Sequence, residues 1–205
     1  IVNDAMDIHG GRGIQMGPRN YLAQGYIAIP ISITVEGANI LTRNLILFGQ
    51  GAVRCHPYLR DEMDAITKKD MVSLDKLLIE HFSYSFKNLL KTFSFAFGLG
   101  HFFVDTPIKE LSYYYRQISR LSAALALVTD FTLIILGGSL KRKERLSARL
   151  GDVLSYLYMA SSVVRYVQDY PSSEEDRVYA QWGLDYCLYH IQYSLEKFFN
   201  NFPKP

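Results

Sequence analysis

Strand-forming runs are scarce in this chain of 205 residues. Few segments alternate apolar and polar residues, and this weighs against a β-sandwich or barrel. Cysteine is almost absent: Cys55 and Cys187 lie far apart and form no CxxC pair. A zinc ribbon and a disulfide framework are thereby excluded, and two inert buried thiols in a reducing compartment are expected. Charge of one sign is also missing. The formal net charge is +2, so no global attraction to nucleic acid is expected. No secretory leader and no fixed-period repeat is visible. The longest apolar stretch, 122–138, is shorter than the roughly 20 residues a membrane span needs and carries Asp130 in its middle. It reads as a buried core helix.

What is present is apolar bulk. Hydrophobic residues make up 49% of the chain and charged ones 20%, a balance that suits a packed soluble domain, or two small ones. The chain opens on Ile-Val-Asn-Asp-Ala-Met rather than on an initiator Met and closes on Phe-Pro-Lys-Pro. A fragment of a longer gene product is expected.

The pattern along the chain is helical. Residues 1–13 begin as a helix and end in Gly10-Gly11-Arg12-Gly13, a helix stop. Residues 21–29 form a short apolar segment ended by Pro30, and 31–35 could be extended. Glu36 opens a helix running to about Val53. The sequence Arg54-Cys55-His56-Pro57 breaks it, because the residue before a proline avoids helical backbone angles. Residues 58–69 read as a charged amphipathic helix. Leu74, Leu77, Leu78, Phe82 and Leu89 then fall at helical spacing. Thr106-Pro107 suggests a cap with proline at the first helical position. Leu111, Tyr114, Tyr115, Ile118, Leu121 and Leu125 form a stripe that Gly137-Gly138 ends. Leu146, Leu150, Val153, Leu154, Leu157 and Tyr158 make another. Ser172 and Glu175 have capping-box spacing. Leu184, Cys187, Leu188, Ile191, Leu195 and Phe198 mark the last helix. The fold class is all-α: an antiparallel helical bundle with short loops.

Two pieces of the N-terminal third could carry chemistry. Asp7-Ile8-His9-Gly10-Gly11-Arg12-Gly13 removes Cβ atoms that would keep a diphosphate or ring from the backbone. It ends a helix and follows no strand, so it is not a dinucleotide-binding fingerprint; a plain helix cap reads equally well. Val35-Glu36-Gly37-Ala38-Asn39, about 25 residues later, sets a carboxylate at a helix start. There it could serve the helix dipole. Among Ile33, Val35 and Ile40 it could also be desolvated into a general base, with Gly37 leaving room for a substrate.

The ordered pair resembles the end of the catalytic domain of acyl-CoA dehydrogenases, where a Q-I-x-G-G-x-G motif is followed by a Y-E-G-T segment and a long helix. Order, spacing and the arginine seven positions after the glutamate (Arg43) all match over residues 1–54. Asp7 stands where glutamine is common, Ala38 where threonine often is, and Val35 replaces an aromatic. The remainder, with Phe48 to Tyr58 leading into a helical extension that holds residues 136–152, is similar to the large bacterial members of fatty-acid β-oxidation. The implied division is 1–57, the end of the catalytic helical domain, and 58–205, an additional C-terminal helical domain.

The resemblance implies FAD-dependent oxidation of an acyl-CoA to the trans-2-enoyl-CoA. Glu36 would remove the α-proton, and Gly37 would lie against the substrate's thioester region. Asp7, Gly10 and Gly11 would lie near the FAD diphosphate or adenosine, and Ala38 near the flavin. Electrons would pass to an electron-transfer flavoprotein. A homo-oligomer is expected, either free in the cytoplasm or peripheral to the inner membrane. The alternatives are a helical assembly or membrane-docking module and an acyl-CoA oxidase. The isolated fragment is expected to be inactive and to bind FAD poorly.

In the extension, Lys141, Arg142, Lys143 and Arg145 suit an anionic surface or a solvated helix start. The aromatic segment 93–104 suits either a membrane-contacting loop or core packing against 111–136. Asp130 is expected to pair with a tyrosine hydroxyl or a buried arginine, Arg120 or Arg149. His9, His56, His81, His101 and His190 show no metal-ligand spacing.

Overall fold

The computed structural model describes residues 2–19, 21–33, 35, 41–44, 50–170 and 173–203. Among these there is no strand, and the all-α class holds. The chain divides into two compact units, residues 1–42 and 43–205.

The first unit contains α1 (Val2–His9), α2 (Gly11–Ile14), α3 (Leu22–Ala28) and a 3-10 turn (Ile29–Ile33). The stop after His9 is as expected. Gly10 adopts φ 55°, a left-handed angle that costs glycine little. The extended segment expected from 31 does not form. Pro30 sits inside the 3-10 turn instead, where its fixed φ suits helical geometry.

The second unit is a helical array: α4 (Gly51–Cys55), α5 (Leu59–Lys68), α6 (Met71–Ala96), α7 (Ser112–Leu136), α8 (Glu144–Asp169) and α9 (Glu174–Asn201). Each helix from α5 onward packs on its successor, and α8 with α9 makes the most extensive contact. Their connection is short, residues 170–173, so the two run antiparallel.

The spacing of buried residues explains this pairing. Leu146, Leu150, Val153, Leu157, Ala160 and Val164 are all buried on α8, at alternating intervals of four and three. Ala180, Leu184, Cys187, Ile191, Ser194 and Phe198 repeat that rhythm on α9. Such a 3–4 repeat keeps one narrow seam facing a partner helix. Leu154 and Tyr158, read as part of the α8 stripe, fall off the seam and are exposed.

Ends are set by local chemistry. The α9 capping box is made by Ser173 and Asp176, one residue beyond the expected Ser172–Glu175 pair: Ser173 Oγ accepts from Asp176 N at 3.1 Å, and Ser173 N donates back to Asp176 Oδ2 at 3.0 Å. Asp70 caps α6 by accepting from Ser73 N at 3.1 Å. The expected Thr106-Pro107 start does not form. Instead, α7 begins at Ser112 after a 3-10 turn, Lys109–Leu111, whose Leu111 is seated in the core.

Helix α6 is packed the wrong way round for its composition. Its Leu74 and Leu77 are half-buried, but so are His81, Tyr84, Asn88 and Thr92, whereas Leu78 and Phe82 face outward. Within 93–104 only Phe95 is buried among the phenylalanines; Phe93, Phe97, Phe102 and Phe103 are exposed. Core packing of that segment therefore rests on one ring. The segment 109–140 is long and apolar enough to cross a membrane by length and composition. Its helix α7, expected as a buried core helix, is a bundle helix buried along one face, with Phe131, Ile134 and Ile135 outward.

Candidate functional site

Of the N-terminal site residues, Glu36, Gly37 and Ala38 lie outside the described residues. Asp7 is exposed on α1, three positions before the turn at Gly10. A Cβ at Gly10 or Gly11 would meet nothing within 4 Å, so the backbone there is open to a bulky group. His9 Nδ1 lies 3.1 Å from Ala5 O, and its Nε2 lies 2.8 Å from the Tyr21 hydroxyl, which ties α1 to the start of α3. An open glycine pair fits the approach of a dinucleotide's diphosphate or ring. The Asp7 carboxylate suits a ribose or amine better than a phosphate.

The second unit holds a polar cluster that sequence reasoning did not assemble. Asp130, only 3% exposed, accepts from His56 Nε2 at 2.8 Å and from the Ser85 hydroxyl at 2.6 Å. These partners replace the arginine or tyrosine expected for it; Arg149 pairs with Asp152 instead. The reason is positional. Asp130 lies on the α7 face that meets α6, and the turn before α5 carries His56 to the same place. His81, on α6, donates through Nδ1 to Glu62 Oε1 of α5 at 2.8 Å, and its Nε2 lies 3.7 Å from Asp130 Oδ1. Tyr58 stacks on the His81 ring at 5.5 Å.

Proton positions follow from the partners. Tyr58 N and Leu59 N both donate to His56 Nδ1 at 3.2 Å. That nitrogen is therefore an acceptor, and the proton sits on Nε2, aimed at Asp130. His56 thus caps the first turn of α5 and donates a hydrogen bond to Asp130 at once. Burial by itself would raise the Asp130 pKa. The hydrogen bonds donated by His56 and Ser85 outweigh it and hold the carboxyl below its ordinary value.

His56, His81 and Asp130 bring their ligand atoms within 4.8 Å of one another, the gathering of types that binds divalent metals. The polarity of His56 does not suit that role. Its Nε2 would have to lose a proton while Nδ1 still accepts two backbone N–H groups. The arrangement is two hydrogen-bonded groups side by side, His56 and Ser85 on Asp130 and His81 on Glu62. No residue-level signal shows it in advance: His56 and Asp130 are 74 positions apart, and only the packing of α5, α6 and α7 joins them.

Part of this cluster borders a cavity of about 530 Å³. Its polar floor is Glu62, His81, Ser85 and Asp130, and its walls are apolar, with Leu78, Phe82, Leu127 and Ile134 among them. Elsewhere, Arg142, Lys143 and Arg145 are exposed with Glu144 between them, so the basic cluster is solvated.

An all-helical array with this antiparallel seam defines a helical domain. The profile of one family, described as acyl-CoA dehydrogenase, C-terminal, bacterial type, matches residues 53–205. The chain belongs to that family. No solved structure matches it.

Proposed function

We propose that this chain is the C-terminal part of an FAD-dependent acyl-CoA dehydrogenase that converts acyl-CoA to trans-2-enoyl-CoA in fatty-acid β-oxidation. The observation that carries the reading is continuity. The family match over 53–205 is preceded directly by the ordered glycine and glutamate motifs of 1–54. Acyl-CoA dehydrogenases generally bind FAD, and bound FAD supplies the hydride acceptor. Asp7, Gly10 and Gly11 are proposed to border it, with Ala38 near the ring. Glu36 is proposed as the base and Gly37 as a thioester contact. The α-proton of a thioester is only weakly acidic, so the carboxylate must be held close to it.

The domain division at 57–58, the transfer of electrons to an electron-transfer flavoprotein, homo-oligomeric assembly and a cytoplasmic location peripheral to the inner membrane belong to the same proposal. A second reading, in which residues 58–205 serve assembly or membrane docking, is favoured by one specific feature: Phe82, Phe93, Phe97, Phe102, Phe131 and Ile134 are all outward-facing large apolar side chains.

The test is replacement of the base in the complete enzyme. Glu36→Gln with FAD still bound should abolish bleaching of the flavin by a long-chain acyl-CoA under anaerobic conditions. Bleaching at the parental rate in the variant would remove Glu36 from the mechanism. Rapid reoxidation of the reduced parent by oxygen would favour an oxidase.

A further inference from the structure

The cavity between α5, α6 and α7 combines apolar walls with a floor that carries carboxylates. Its volume, about 530 Å³, lies within the range of about 300–1,000 Å³ usual for small-molecule sites, and apolar walls with a few convergent polar groups are their usual lining. Its floor carries two carboxylates, Glu62 and Asp130, each at least nine-tenths buried by residue. Among the described residues, no arginine or lysine lines it. The floor therefore disfavours an anion and favours a hydrogen-bond donor or a cation.

The floor also leaves one bond unmade. The Nδ1–H of His81 is committed to Glu62, which aims Nε2 at Asp130 Oδ1 across 3.7 Å, beyond hydrogen-bond length. A donor placed at that gap reaches both atoms. At the other end, Phe82 and Ile134 stand at the rim, each 75% exposed, where they would flank an apolar tail.

We propose that this cavity binds a single-chain amphiphile whose head is a hydrogen-bond donor, a protonated amine or a hydroxyl, set against Asp130 and His81, with its alkyl chain along Leu78, Leu127 and Ile134. A fatty carboxylate is rejected by the same floor. The site lies in the extension and does not rest on the dehydrogenase reading.

Isothermal titration of the 205-residue chain with dodecylamine, 1-dodecanol and dodecanoate, each below its micellar concentration at neutral pH, tests this. The amine and the alcohol should bind saturably at one site, and dodecanoate about tenfold or more weakly, a difference of about 1.4 kcal/mol. Leu127→Trp, which fills the cavity, should abolish binding of all three. Ile134→Asp, at the exposed rim, should weaken all three. Glu62→Gln keeps an acceptor for His81 and removes one charge, so it should narrow the preference of the amine over dodecanoate. Equal binding of dodecanoate and dodecylamine would overturn the assignment of the head. Absence of saturable binding by both amine and alcohol, or binding untouched by Leu127→Trp and Ile134→Asp, would overturn the site.

Discussion

Asp130 shows how much one buried side chain can organise. Its carboxylate joins α7 to α6 through Ser85 and to the turn before α5 through His56. Removing it leaves two buried donors unpaired. Asp130→Ala should therefore destabilise the fold by about 3 kcal/mol or more, read from urea unfolding. Its pH dependence has a defined sign. The folded pKa lies below the ordinary value, so the stabilisation is full above the unfolded pKa and lost as pH falls through the folded one. The wild type should thus lose more stability on acidification below about pH 4 than Asp130→Asn does. Tyr114 acts at the opposite end of the scale. Burial first, and then its hydrogen bond to Asp185, push the hydroxyl pKa up to about 12. Stability tied to Tyr114 is present below the unfolded pKa near 10 and falls as pH rises toward 12. Tyr114→Phe should flatten the alkaline limb of the stability curve. The sequence marked Asp130 as a buried charge in need of a partner, because an acid in an apolar helix has few other options. It could not name the partner. Histidine supply depended on a turn 74 positions away.

The helices of the second unit were legible wherever burial follows a 3–4 rhythm. The seam residues Leu150, Val153, Leu157, Leu184, Cys187 and Ile191 are all buried. Position decides the energetic weight of each. Ile191 is fully buried, and Ile191→Ala should cost about 2–5 kcal/mol, whereas Tyr158→Ala, off the seam and exposed, should stay within about 0.5 kcal/mol. A denaturant series on the two variants separates seam from flank. Misreadings occurred where composition and packing part company. Helix α6 offers an apolar stripe, yet the face that meets its neighbours carries His81, Asn88 and Thr92. An apolar periodicity reports which face avoids water, not which neighbour covers it. The α9 start was misplaced by one residue because Ser172-Ser173-Glu174-Glu175-Asp176 offers overlapping cap pairs. The geometry selects Ser173, and Ser173→Ala should fray the first turn of α9, visible as faster amide exchange at residues 175–177.

At the scale of the molecule, the two units carry different parts of the account. The first holds an open glycine turn at Gly10 and Gly11 and ends in the segment that contains Glu36. The second is the family's helical domain, reached by the match over 53–205. The class of the whole was readable because helix stops, caps and stripes agree with one another along the chain. The proposed chemistry rests on an ordered pair of short motifs, since either alone is also an ordinary helix end. The central claim, that the complete protein oxidises acyl-CoA at the expense of bound flavin, is tested most directly by a single anaerobic turnover. The complete enzyme, purified with FAD, is mixed with a long-chain acyl-CoA, and flavin absorbance and products are followed together. The account predicts one trans-2-enoyl-CoA formed for each flavin bleached; bleaching without enoyl-CoA, or neither across a range of chain lengths, would contradict it.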